Sequence, residues 1–229
     1  MVARDFPRSQ SPDSWGLVMF VCWSPKGGSG TTVVSAALAL TRSRSQPVVL
    51  VDLGGDMPAA LGLPEPSGPG VGDWLTSPTA SADALGRLLI TVTDSMSLLP
   101  RGATPEHVST ARWVEFVEAL AAVDARAVID AGTLALPSAL TGDGVQSLMV
   151  TRSCYLGLRR AVIGEVKPTG IVLILEPGRA LTAVDIERAV GAPVVAEIPF
   201  DPGVARCVDA GMLTSRLPRS LSMRLKDIA

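Results

Sequence analysis

The sequence predicts an α/β protein, a mostly parallel sheet with helices on both faces. Three observations predict it. Apolar runs of strand length recur along the chain, continuous rather than alternating, as strands buried on both faces require. Segments with helical spacing separate them, which is the pattern of repeated strand–helix units. Several runs end in a Gly-rich turn or an acid, at the sheet edge where such folds bind ligands. A chain of 229 residues, 47% hydrophobic, can bury a substantial core within one large domain.

The elements follow in order. Residues 17–23 (LVMFVCW) form the first strand and residues 32–40 (TVVSAALAL) the first helix. The second strand, 47–52, ends in Asp52, and 63–70 (LPEPSGPG) is a loop of chain breakers. Short helices are expected at 71–75 and 82–88, with Trp74 and Leu75 in the core. Short strands at 90–92 and 96–100 surround a turn. Thr104 reads as an N-cap with Pro105 at the first helical position. That places His107 in the first turn, at the surface, and Val108, Ala111, Val114, Val117, Leu120 and Val123 on an amphipathic stripe. Strands at 127–130 and 147–150 follow, then a helix at 156–163 and a strand at 170–175. Thr182 caps the helix 182–190, with Asp185 three residues on. A strand at 193–198, a helix at 203–209 and a helical tail at 217–228 complete the series. Residues 1–15 are polar and rich in Pro and Ser, so a flexible leader is expected, with residues 16–229 as the domain.

Composition excludes several classes. A net charge of −2 argues against strong sequence-independent DNA binding, which needs a basic face, and leaves a local basic patch open. An aromatic content of 4% disfavours base-stacking surfaces. Cys22, Cys154 and Cys207 are far apart and lack metal-ligand spacing, so they read as small buried hydrophobes in a reducing cytoplasm. No stretch reaches transmembrane length.

The chemistry concentrates in Lys26-Gly27-Gly28-Ser29-Gly30-Thr31-Thr32, between the first strand and the first helix. A phosphate-binding loop has the form G-x-x-x-x-G-K-S/T. Its backbone amides cradle phosphates, its Lys reaches the β- and γ-phosphates and its hydroxyl binds Mg²⁺. Gly30 and Thr32 are in place, but Thr31 stands where the Lys belongs and Lys26 opens the loop instead. The strand–loop–helix context makes an anion site, because unpaired amides and the helix dipole favour negative charge. Asp130, at the end of Val128-Ile129-Asp130, has the form of a Mg²⁺-holding carboxylate, the alternative being a turn cap. Asp52 is similarly placed, with a cap or turn role equally open. The loop, Asp52, Asp130 and Asp201 all follow strands and should meet at one sheet edge.

These residues resemble the ParA/MinD family of P-loop ATPases, with its deviant loop K-G-G-x-G-K-S/T. The resemblance runs from about Leu17 to Gly211 and implies a P-loop NTPase fold. It implies that Lys26 to Thr32 bind ATP or ADP, that Thr32 and Asp130 hold Mg²⁺, and that Asp52 is the second-strand acid. Ile198-Pro199-Phe200-Asp201 matches the segment that borders adenine, which makes Asp201 a binding residue. Val150-Thr151-Arg152 and Leu158-Arg159-Arg160 resemble the strand and helix start after the metal-binding acid. The family also implies a homodimer in which the lysine matched by Lys26 reaches the partner's nucleotide. Three departures stand out. Thr31 replaces the Walker lysine. Gly54 replaces the second acid of a D-x-D motif, with Asp56 two residues on. Asp130-Ala131-Gly132-Thr133-Leu134 replaces D-T-P-P-G. The CpaE/TadZ-like and septum-site-determining-like branch shares the lysine loss, and its members localise pili or division sites. Many carry a response-regulator-like domain ahead of the ATPase domain, whereas a stand-alone domain is expected here.

The readings that remain differ in class. One is a positioning protein that binds nucleotide weakly or not at all and works through dimerisation or a protein partner, such as a secretion ATPase or a division protein. Another is a slow Mg²⁺-dependent ATPase cycling between monomer and ATP-sandwich dimer. A metabolic amidotransferase or dethiobiotin-synthetase type is disfavoured, because such enzymes keep the lysine. Leu217, Leu221, Leu225 and Ile228 share one face of the tail helix, with Arg219, Arg224 and Lys226 elsewhere. Contact of residues 217–229 with the inner membrane surface is one reading of that face, and packing on the sheet is the other.

Overall fold

A computed structural model describes residues 19–228. The expected leader, and Leu17 and Val18 of the first strand, lie outside the described residues. Among the described residues eight strands form one sheet: β1 (Met19–Trp23), β2 (Val48–Asp52), β3 (Ile90–Thr93), β4 (Met96–Leu99), β5 (Arg126–Gly132), β6 (Val145–Arg152), β7 (Gly170–Leu175) and β8 (Val194–Pro199). Their order is β3-β4-β2-β5-β1-β6-β7-β8. Every pairing is parallel except β3 with β4, which form an antiparallel hairpin. All five residues of β1 and of β2 are buried, as continuous apolar runs in a covered sheet require.

Among the described residues nine α-helices cover the sheet: α1 (Thr31–Arg42), α2 (Met57–Leu61), α3 (Val71–Thr76), α4 (Ala82–Gly86), α5 (Thr110–Ala121), α6 (Tyr155–Ile163), α7 (Ala183–Val190), α8 (Pro202–Asp209) and α9 (Arg219–Leu225). Side chains of α1, α2, α8 and α9 pack with Phe20, Cys22 and Leu50 on one face. Those of α3 to α7 pack with Val21, Val49 and Ile129 on the other, where Trp74 and Leu75 are buried. Successive strand residues point to opposite faces, so each strand feeds both layers.

Several expectations are corrected. The helix after β4 starts at Thr110, capped by the Ser109 hydroxyl, and not at Thr104 and Pro105. His107 is therefore outside the helix, exposed at φ 53° in the connection. The buried face of α5 is Arg112, Trp113, Phe116, Ala119 and Leu120, while Ala111 and Val114 face solvent. Leu120 of the expected stripe is buried, and Val108, Val117 and Val123 pack on the core; a strict three-residue step drifts around a helix of 3.6 residues per turn, which leaves Ala111 and Val114 outside. The short helix α2 was unforeseen. Of the cysteines, only Cys22 is fully buried. On α9, Leu221 and Leu225 are buried against the core and Leu217 and Ile228 pack on it. The apolar face offered to a membrane is thus occupied by the protein's own interior. Among the described residues no helix is long and apolar enough to cross a membrane.

Candidate functional site

The carboxyl ends of β1, β2 and β5 build one open cleft of about 510 Å³, lined by the loop Gly27 to Val33, by Leu53, Gly54 and Asp56, and by the chain after Asp130. The loop is shaped by its own hydroxyls. Ser29 Oγ donates to the Lys26 carbonyl at 2.8 Å, and Ser24 Oγ donates to Ser29 Oγ at 2.8 Å. Gly28 (φ 77°) and Gly30 (φ 91°) sit in the left-handed region that side chains rarely adopt. A Cβ on Gly27, Gly28 or Gly30 would meet nothing within 4 Å, so no neighbouring group crowds these glycines. Gly30 is also the N-cap of α1, and the first backbone bond of that helix is Val34 N–H to the Gly30 carbonyl. The amides of Thr31, Thr32 and Val33 therefore lack intrahelical acceptors and point at the cleft with the positive end of the helix dipole. Thr31 is nearly buried and offers this concavity a hydroxyl in place of a cation. Lys26 lies at the rim, its Nζ donating to the Gly27 carbonyl at 3.2 Å.

Asp52 and Asp130 are register partners on adjacent strands, and both are fully buried. They do different work. Asp52 is saturated: Oδ1 accepts from Gly55 N–H at 2.6 Å and Oδ2 from Met57 N–H at 3.1 Å, which shapes the loop into α2. Asp130 Oδ1 accepts from Gly132 N–H at 3.1 Å, while Oδ2 is buried with no hydrogen-bond partner. Burial raises the Asp130 carboxyl to about 6, and the Asp52 charge adds to the rise. The nearby Thr32 hydroxyl opposes it without making a well-formed bond. Burial raises the Asp52 carboxyl as well, against its two amide donors and the Arg101 charge. An orphaned buried carboxylate oxygen beside a hydroxyl is a donor set that fits a hard divalent cation, completed by phosphate and water.

Gly54 sits between the two acids. A Cβ there would lie 3.4 Å from Asp130 Oδ2 and 3.7 Å from Asp52 Oδ1, so a side chain at 54 would address the same volume. The exposed carboxylate of Asp56 lines the cleft, and its side chain does not cap α2. Behind this loop stands Arg101, which sequence reasoning missed. Its Nη1 donates to the Gly54 carbonyl at 2.8 Å, and its guanidinium fills the space where a Gly55 side chain would begin. The available signal was its place just after β4, at the same sheet edge.

Asp201 lies farther off. Its Oδ1 caps α8 through Gly203 N–H at 2.7 Å, and its Oδ2 accepts from Ser220 Oγ at 3.0 Å. It borders an apolar hollow beside the loop, lined by Ser29, Gly30, Val33, Ile198 and Phe200. Arg152 lies at this hollow, 5.9 Å from the Phe200 ring centroid and ion-paired to Glu176. The structure thus brings Lys26 to Thr32, Asp52 and Asp130 together and leaves Asp201 at a border with its oxygens engaged.

A parallel sheet carrying this loop before α1, with buried acids on the neighbouring strands, defines a P-loop nucleotide-binding domain. The chain belongs to the CobQ/CobB/MinD/ParA nucleotide-binding domain family, whose model matches residues 20–214. No curated protein sequence matches it significantly. Among solved structures it is similar to a ParA family ATPase from Chlorobium tepidum TLS. That match has 21% identity and a TM-score of 0.73, over 93% of this chain and 98% of that one. It is similar to the septum site-determining protein MinD complexed with Mg-ADP from Pyrococcus horikoshii OT3 (19%, TM-score 0.68, 92% and 93%). The MinC:MinD cell division protein complex from Aquifex aeolicus is a third (18%, TM-score 0.68, 91% and 92%). Identities this low speak for the shared fold.

Proposed function

We propose that this chain is a ParA/MinD-like positioning protein with an impaired nucleotide site, one that holds nucleotide phosphate weakly and hydrolyses it little or not at all. The observation that carries the reading is an open, preformed phosphate cradle with the cleaving charges missing around it: Thr31 at the lysine position and Gly54 between Asp52 and Asp130. In this reading the amides of the loop take the phosphates, and Thr32 with Asp130 Oδ2 holds Mg²⁺, which when bound neutralises phosphate charge. Phosphoryl transfer depends almost wholly on positioning and electrostatics. Losing one preorganised charge-stabilising group costs on the order of 10²–10³-fold in rate.

The output is then association rather than turnover. A homodimer with Lys26 reaching the partner's phosphates, and a division or secretion-ATPase partner, follow from the family; the MinC:MinD complex of the similar fold supports a protein partner. Titration with Mg-ATP should give weak binding, strengthened by Thr31→Lys, with phosphate release at background even when a partner is present. Saturable phosphate release that Asp130→Ala abolishes refutes the proposal.

A second reading, a slow Mg²⁺-dependent ATPase, shares the cation site at Asp130 Oδ2 and draws its support from Lys26, which opens the loop and in this reading covers for the lost lysine. Failure to detect ATP binding by calorimetry in the presence of Mg²⁺ sinks it.

A further inference from the structure

We propose that the cleft between α8 and the segment entering α9 binds a small phosphorylated anion, at a site separate from the nucleotide cleft. The cleft is about 590 Å³ and is lined by three arginines, Arg206, Arg216 and Arg219. All three are exposed. Among the described residues none of them is ion-paired, whereas Arg152 and Arg179 share Glu176 and Arg112 pairs with Glu115. The one carboxylate in the lining, Asp201, is already committed to Gly203 N–H and to the Ser220 hydroxyl. Three guanidinium groups without a carboxylate partner around one concavity make a locally positive hollow in a chain with a net charge of −2.

Arginine forks match tetrahedral oxyanions with paired, charge-assisted donors. Met212 and Cys207 line the same cleft and offer an apolar wall, which suits an organic phosphate over a bare ion. A nucleic-acid backbone fits less well. It presents a phosphate every 3.4 Å along each strand and is met by cations spread along a surface, not gathered in one hollow. Asp201 also borders the hollow beside the phosphate loop, so the two sites share a wall.

Inorganic pyrophosphate is the probe, titrated calorimetrically into the full chain. A second pyrophosphate site at the loop is removed by Gly27→Asp, which puts a carboxylate into the cradle where a side chain meets nothing. Binding should persist in Gly27→Asp and weaken by at least about tenfold in Arg216→Ala/Arg219→Ala, the loss expected for two charge-assisted contacts. Binding lost in Gly27→Asp, or unchanged in the arginine variant, overturns the proposal. So does an arginine variant that loses a 20-base-pair duplex while pyrophosphate binding stays intact. Should the double variant not fold, the unmodified protein still decides. Cys207 lies in this cleft with its Sγ toward the Arg216 carbonyl at 3.3 Å. Pyrophosphate should slow its alkylation, followed by mass spectrometry of the peptide, and an unchanged rate contradicts the site.

Discussion

The loop after β1 and the loop after β2 face each other across the same cleft, and they differ in what holds them. The β1 loop is held by its own serines, has open space at the Cβ positions of Gly27, Gly28 and Gly30, and leaves the first amides of α1 without intrahelical acceptors. The β2 loop is held from behind. Asp52 spends both oxygens on Gly55 and Met57, and Arg101 grips the Gly54 carbonyl. In the first, backbone geometry performs the task, so a changed side chain at Thr31 leaves the cradle standing. In the second, the position facing the acids is a glycine and the nearby cation is turned to structure. On the proposed reading, the site keeps the apparatus for holding phosphate while the apparatus for cleaving it is lost.

The largest expected effect sharpens the contrast between the two acids. The folded carboxyl of Asp130 lies at about 6 against an ordinary 3.8. Below pH 4 both folded and unfolded forms are protonated and nothing is lost. As pH rises from 4 to 6 the unfolded chain ionises first, so stability falls with rising pH and stays reduced above 6. Asp130→Asn should therefore stabilise the protein at pH 7.5 without Mg²⁺ by up to about 3 kcal/mol, vanishing near pH 4, as read from thermal melts. Equal stability at pH 7.5 would mean that Asp130 is not a strained carboxylate.

Glycine substitutions compare the loops directly. Gly55→Ala meets the Arg101 guanidinium at about 2.2 Å from a positive φ and should cost about 2–3 kcal/mol. Gly27→Ala meets nothing and should stay within about 0.5 kcal/mol in urea titrations. Comparable costs would erase the distinction between a loop held from behind and a loop held from within. Arg101→Ala removes a charged bond to Gly54 and should cost about 1–2 kcal/mol. Amide exchange should quicken at Gly54 to Met57 and remain unchanged at Gly27 to Thr32.

Much of this edge was legible in the sequence. A buried strand, a Gly-rich turn and a small-residue helix admit few arrangements, and the acids ending β2 and β5 had to fall beside the loop once those strands were adjacent. The cap at Thr182 was equally local, with the Asp185 carboxylate returning to the Thr182 amide at 2.9 Å. What escaped depended on contacts distant in sequence. Arg101 meets Gly54 across 47 residues, and no local pattern announces that. Arg112 went unremarked in the sequence, yet it is buried over the Trp74 ring at 3.6 Å and donates to the Trp74 carbonyl. Thr104-Pro105 has good capping chemistry, but Ser109 caps instead.

The smallest effects concern rescue. Thr31→Lys should tighten Mg-ATP binding by about tenfold through one added cation. Gly54→Asp alone should leave affinity nearly unchanged, since it adds charge beside Asp130. Turnover should appear only when the two are combined, and turnover in either single variant would separate the two losses.

A cleft that holds phosphate without cleaving it, as proposed, keeps a bound nucleotide intact. The most direct measurement incubates the protein with Mg-ATP for hours, isolates the bound fraction and identifies the nucleotide. Bound nucleotide should be recovered as intact ATP, from the unaltered chain and from Asp130→Ala alike. Recovery as ADP from the unaltered chain, but as ATP from Asp130→Ala, contradicts it.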